Sequence, residues 1–150
     1  MEIGSGAMVF DADKKVLGRL ASIVAKNLLN GSEVVVVNSE KAIISGSKRV
    51  ILERYRTRVN LKEKANPEHS PYWSRRPDFL VKRIIRGMLP YRKPSGKAAY
   101  RRLRVFVGIP EQFSKAKPIE IESKDPKRMY VGHMTIAELS RLLGYGREQR

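Results

Sequence analysis

Cysteine is absent from the 150 residues. That excludes a disulfide framework, thiolate zinc sites, iron–sulfur ligation and a cysteine nucleophile, and it is compatible with a reducing cytosol. Histidine is scarce as well, with only His69 and His133. Two distant histidines cannot build a His-rich metal site, so each reads as a surface or capping group and no metal is expected. No apolar run approaches the length of a membrane span, and no basic-then-apolar leader opens the chain, so no membrane partner is expected. Met1 to Ala7, with Gly4-Ser5-Gly6 ahead of Met8, read as a cloning remnant or a disordered lead-in. Residues 8–150 are expected to form a single domain.

Acidic residues are few for the number of basic ones. Thirty-one Lys and Arg face fifteen Asp and Glu, which leaves +16 and a sequence pI near 10.4. At 41% apolar the chain can still bury a core, so the charge is carried on a folded body. Such a body repels itself, and a polyanion is its natural partner. The charge is also segregated. Lys48 to Arg104 holds eighteen basic residues against Glu53, Glu63, Glu68 and Asp78, so this stretch carries +14 of the +16. A thermostability explanation would mix both signs along the chain; a polyanion-binding surface separates them. Arg outnumbers Lys there by twelve to six. Guanidinium forks contact phosphate oxygens in pairs and stack on bases, which favours nucleic acid over a membrane surface.

Cofactor signatures are missing too. Asp11-Ala12-Asp13-Lys14-Lys15 follows the first strand where a dinucleotide site would need a glycine-rich turn. Gly46-Ser47-Lys48 lacks the order of a phosphate-binding loop, and no nucleophile elbow occurs. The acid pairs Asp11/Asp13 and Glu120/Glu122 fit solvated strand edges better than a catalytic cleft. No cofactor, small-molecule substrate or catalytic residue is expected.

The hydrophobic pattern predicts an α/β fold. Met8 to Phe10 reads as a short buried strand. Leu17, Leu20, Ala21, Val24 and Leu28 recur at three- and four-residue steps, predicting a helix over 17–29 that Gly31 closes. Four consecutive valines over 34–37 suit a strand covered on both faces, and together these make a βαβ unit. Ala42 to Ile44 is a candidate strand. A helix over 48–59 with Ser47 as N-cap is expected next, then a long loop from Asn60 to Arg76. Pro77 opens a helix running to Leu89, with Leu80, Val81, Ile84, Ile85 and Met88 as its buried stripe. Arg101 to Val107 returns to strand character. Thr135 and Glu138 form a capping box for a last helix that buries Leu139, Leu142 and Leu143 before Gly144.

Lys82, Arg83 and Arg86 occupy the arc of the third helix opposite its stripe, where they can meet phosphate. Tyr72 and Trp73 precede Arg75 and Arg76. They suit either base stacking or anchoring of the loop, and anchoring is the commoner use. Gly87 interrupts a good helix at a cost of about 1 kcal/mol relative to alanine. Two explanations compete: close backbone approach to a phosphate or sugar, which is the expected one, or tight packing on the sheet.

Four stretches together resemble the universal large-subunit ribosomal protein family numbered thirteen, in its archaeal and eukaryotic style. They are Leu17-Gly18-Arg19-Leu20-Ala21-Ser22; Val36-Val37-Asn38-Ser39-Glu40-Lys41; Val81-Lys82-Arg83-Ile84-Ile85-Arg86-Gly87-Met88-Leu89-Pro90; and Gly96-Lys97-Ala98-Ala99 continuing to Gly108-Ile109-Pro110. The third is the most specific. The resemblance implies a three-layer α/β/α domain with a short, mainly parallel sheet and basic loop and helix extensions. It further implies a structural role in the large ribosomal subunit in the cytoplasm, with large-subunit ribosomal RNA and neighbouring ribosomal proteins as partners. The expected RNA-binding set is Lys48, Arg49, Arg54, Arg56, Arg58, Arg75, Arg76, Lys82, Arg83, Arg86, Gly87, Arg92, Lys93, Lys97, Arg101 and Arg102. The alternatives are a nucleotide- or RNA-acting α/β enzyme and a DNA-compacting protein.

Overall fold

The computed structural model describes residues 6–119, 121 and 132–146. Its elements in chain order are β1 (Met8–Asp11), α1 (Leu17–Leu29), β2 (Val34–Val37), β3 (Ile43–Ser45), α2 (Lys48–Asn60), α3 (Pro77–Gly87), α4 (Pro94–Arg101), β4 (Leu103–Val105), β5 (His133–Thr135) and α5 (Ile136–Leu142). Short 3-10 turns lie at Ser39–Lys41, Pro67–His69 and Glu111–Phe113. The architecture is α/β.

The expected βαβ unit is present. β1 and β2 run parallel with Met8 in register with Val34, and α1 crosses between them. The α1 stripe buries Leu17, Leu20, Ala21, Val24, Ala25 and Leu28. At its end Gly31 adopts φ +96° and donates its N–H to the Leu28 carbonyl, while the Ser32 N–H reaches the Asn27 carbonyl. That pair of bonds satisfies carbonyls the helix leaves open, and only glycine enters this conformation cheaply. All four valines of β2 are buried because β2 is the central strand, flanked by β1 and the likewise parallel β4.

The two faces of this sheet are covered differently. Phe10, Val34, Val36 and Leu103 join side chains of α1, α3, α4 and α5 in the main core. On the other face Val9, Val35 and Val37 meet Ala7, Phe106, Phe113 and Ala116. The second cover is therefore the chain that follows β4, whose Phe106 and Phe113 rings lie 6.0 Å apart. Beyond β1, Ile119 bridges to Phe10 and donates its N–H to the Val9 carbonyl at 2.8 Å.

The structure corrects several expectations. α4 is an additional helix, to which the hydrophobic pattern assigns no element, and Pro94 stands at its first helical position. Gly96 is buried, and a Cβ built on it would lie 2.1 Å from the Pro90 carbonyl oxygen. α4 can only begin where it does because that side chain is absent. α3 stops at Gly87, short of Leu89, and leaves Met88 41% exposed. Ser47 holds the N-cap position of α2 without a side-chain cap bond. Leu142 is exposed, although Leu139 and Leu143 bury as expected.

β5 and α5 dock on the helical side. β3 leaves the parallel sheet and pairs antiparallel with β5, Ile44 opposite Met134. Thr135 Oγ1 accepts the Glu138 N–H at 3.2 Å, half of the expected capping box. α5 then packs on α3 and on the Ser39–Lys41 turn, and the buried Ser140 hydroxyl donates to the Arg75 carbonyl.

Candidate nucleic-acid interface

Helix α3 carries the centre of the basic surface. Pro77 presets its first turn, and Asp78 lies where a carboxylate favours the helix dipole. Arg76 Nη2 and Nε donate to the two oxygens of Asp78 at 2.9 and 3.2 Å. Pro77, Leu80, Val81 and Ile85 are buried and Ile84 is partly so. At 100° per residue, Phe79, Lys82, Arg83 and Arg86 fall on the opposite arc. That arc is the one the sequence predicts.

Packed cations on one arc repel, and aromatic rings separate them. Arg83 lies 4.6 Å and Arg58 of α2 lies 4.9 Å from the centre of the Trp73 ring. Arg58 also stands 5.3 Å from Tyr55, which meets Trp73 edge-on at 6.3 Å. Lys82 lies 5.1 Å from the Tyr100 ring of α4, and Arg86 lies 4.2 Å from Tyr91. Tyr91 and Tyr100 themselves meet edge to face at 5.3 Å. Arg76 lies 4.9 Å from Phe79. Each such contact is worth about 0.5–1 kcal/mol at an exposed site, enough to orient a side chain without burying its charge. The rings thus bring Arg58 of α2 and Arg83 of α3 onto Trp73, and tie Lys82 of α3 to the Tyr100 ring of α4.

Titration behaviour follows the packing. Burial, with the Arg104 guanidinium nearby, holds the Lys82 ammonium below its ordinary value, and Asp78 opposes this. Burial pushes the phenols of Tyr55 and Tyr100 up against the pull of neighbouring arginines, so both rings remain neutral.

The remaining expected positions differ in what holds them. On α2, Lys48, Arg49, Arg54 and Arg56 are exposed and Arg58 is half-buried. Lys48 Nζ pairs with Glu138 at 2.8 Å and ties α2 to α5. Arg75, Arg92, Lys93, Lys97 and Arg101 are exposed on the loop, the turn after α3 and α4. Arg102 is half-buried, and its Nη2 donates to the Leu28 carbonyl at 2.8 Å, closing the end of α1. Gly87 is exposed, the last residue of its helix, with no atom within 4 Å of a Cβ placed on it. Tight packing therefore does not explain this glycine; that role belongs to Gly96.

Trp73 is partly buried against the core and anchors its loop, whereas Tyr72 is 82% exposed. Sequence reasoning missed Tyr55, Phe79, Tyr91 and Tyr100. The available signal was their placement inside the basic stretch, with Tyr91 and Tyr100 bracketing Arg92 to Lys97.

Asp11 and Glu40 brace turns and strand ends. Asp11 Oδ1 accepts from the Asp13 N–H and from Asn38 Nδ2, both at 2.9 Å, and holds the ends of β1 and β2 together. Asn38 needs that support because it occupies φ +53°. Glu40 accepts the Gly108 N–H at 3.0 Å. The pair Glu120/Glu122 lies outside the described residues. Among the described residues no three His, Cys, Asp or Glu side chains gather as metal ligands, and no helix is long and apolar enough to cross a membrane.

Comparison with known proteins gives the same direction. The family model for ribosomal protein L13 matches residues 6–112. Large ribosomal subunit protein uL13 of Archaeoglobus fulgidus is 43% identical over 148 residues, covering 95% of this chain and 91% of the relative. The proteins of the same name from Methanosphaera stadtmanae and Methanococcoides burtonii are 44% and 45% identical, each covering 91% of this chain and 96% of its own length. The similarity to archaeal relatives thus continues beyond residue 112, into the segment that contains β5 and α5.

Proposed function

The chain belongs to the ribosomal protein L13 family, and from that premise we propose that it binds large-subunit ribosomal RNA through the face built by α2, α3 and α4. It acts as a structural constituent of the large ribosomal subunit in the cytoplasm, not as an enzyme. By screening phosphate repulsion where RNA segments converge, it supports subunit assembly beside neighbouring ribosomal proteins. Residues 8–150 act as one domain in this role.

The observation that carries the reading is the arc of Lys82, Arg83 and Arg86 opposite the buried side of α3, with Arg58 brought to it through Trp73. Ring-supported guanidiniums are pre-oriented, so less rotamer freedom is lost when phosphate binds. Gly87 continues the arc with bare backbone, which a phosphate or sugar can approach.

The test is the salt dependence of binding to large-subunit ribosomal RNA. Replacing Lys82, Arg83 and Arg86 together by Glu should leave the fold intact and weaken binding steeply. The slope of log affinity against log salt should flatten by roughly 0.7–0.9 for each phosphate that is no longer neutralised. Equal affinity and slope for variant and parent would reject this face.

A further inference from the structure

A cleft of about 580 Å³ opens between the loop after α2 and the end of α5, with Leu61, Tyr72, Trp73 and Tyr145 among its walls. Lys62 and Arg75 also line it, and among the described residues no carboxylate does. Resting on the RNA-binding reading above, we infer that this cleft receives an unpaired RNA base, stacked on Tyr72 and Tyr145, while Lys62 and Arg75 hold the adjoining phosphates.

The state of the rings supports this. The Trp73 face is already occupied by Arg58 and Arg83, so Trp73 serves as the rigid back of the cleft. Tyr72 is 82% exposed and Tyr145 45% exposed. Among the described residues, neither makes a ring–ring or cation–ring contact. Their π surface is free in an otherwise ring-paired region.

The cleft is also held in shape by contacts remote in sequence. The buried Ser140 hydroxyl donates to the Arg75 carbonyl. Gly144, at φ +98°, turns the chain so that Tyr145 follows, and Arg75 Nη1 comes within 3.5 Å of a Cβ placed on Gly144. Stacking surface, cationic rim and lack of acids are the requirements of a single-stranded site, since every base has a π face and every linkage a phosphate. An acidic peptide would match the charge but has no need of two free aromatic faces.

The experiment uses the full chain with two labelled probes, a twelve-nucleotide oligouridylate and a twelve-base-pair RNA duplex. Tyr72→Ala and Tyr145→Ala should each weaken oligouridylate binding roughly 5- to 100-fold. The salt slope should not change, because no cation is removed. Tyr72→Phe should bind like the parent, and duplex affinity should be unaffected throughout. Parental oligouridylate affinity in both alanine variants overturns the base site. If the triple reversal on α3 still weakens both probes, the RNA-binding reading survives that failure; if it weakens neither, that reading falls as well. An acidic decapeptide that binds the parent and loses binding in Tyr72→Ala, with RNA unaffected, assigns the cleft to a protein and also overturns the proposal.

Discussion

α1 and α2 are both thirteen residues long and are used in opposite ways. α1 buries six residues along a continuous stripe, and its exposed side carries Arg19 and Lys26. α2 buries only Ile51 and Tyr55 and carries Lys48, Arg49, Arg54, Arg56 and Arg58. The first derives its stability from apolar burial, about 1.5–3 kcal/mol for each large side chain. The second rests on Ile51 and Tyr55, with smaller contributions from the exposed Lys48–Glu138 pair and the stacking of Arg58 on Trp73. Apolar burial thus dominates on α1, and exposed positive charge dominates on α2. A substitution should therefore affect stability or binding according to whether its site is buried or exposed.

The largest effects should come from buried positions, whichever region holds them. Leu20→Ala in α1 should destabilise the free protein by about 2–5 kcal/mol, since the fully buried site cannot collapse onto a smaller side chain. Gly96→Ala should be comparably severe, about 3 kcal/mol or more, because the new Cβ meets Pro90 backbone and not a movable side chain. Denaturant unfolding checks both. A Gly96→Ala protein as stable as the parent would contradict the close approach of α4 to the Pro90 turn.

Trp73→Leu should sharpen the comparison. Leucine keeps apolar bulk against the core but removes the ring beneath Arg58 and Arg83. Stability should fall by about 1–3 kcal/mol, the usual range for an altered packing site. RNA affinity should fall although every charge is kept, with the salt slope nearly unchanged. A purely structural Trp73 would lose stability and leave the affinity of the folded protein intact.

Lys82 gives a smaller effect with a defined pH signature. Its folded pKa lies below its ordinary 10.5, so folding disfavours the charged form. That cost is fully present below the folded pKa and is relieved as the pH rises towards 10.5. Lys82→Met should thus raise the melting temperature of the free protein at neutral pH, the gain shrinking in alkali, while it weakens RNA binding. A lower melting temperature at pH 7 would place Lys82 among the stabilising residues. Smallest of all is Gly87→Gln: open space around the glycine should allow a gain of up to about 1 kcal/mol, with RNA affinity reduced by the added bulk. Unchanged RNA affinity would leave this glycine without a role in the interface.

Periodicity makes the region of α1 and β2 legible. The α1 stripe, the valines of β2 and the Gly31 cap are local signals, and local signals place them within a residue or two. The composition and spacing of the basic arc on α3 are legible for the same reason. Pairings between distant segments are not. β3 joins β5 some ninety residues later, and no local pattern states that register. The role of Gly96 is hidden because its reason for being glycine lies in Pro90 backbone, which the folded chain brings against it. The aromatic supports are hidden likewise: Arg58 and Arg83 meet on one ring although twenty-five residues separate them.

The most direct test compares the two regions at equal charge. One variant carries Lys82, Arg83 and Arg86 changed to Glu; the other carries Arg19, Lys26 and Lys115 changed to Glu, all three exposed and outside the basic stretch. Both undergo the same change in net charge, so general attraction to a polyanion falls equally. Binding to large-subunit ribosomal RNA is then measured for both at one salt concentration, after thermal unfolding has shown each to be folded. The α2–α3–α4 face predicts that the first variant binds at least about tenfold more weakly than the second, a difference of roughly 1.4 kcal/mol. Equal affinities would mean that net charge alone governs binding, and would contradict the interface.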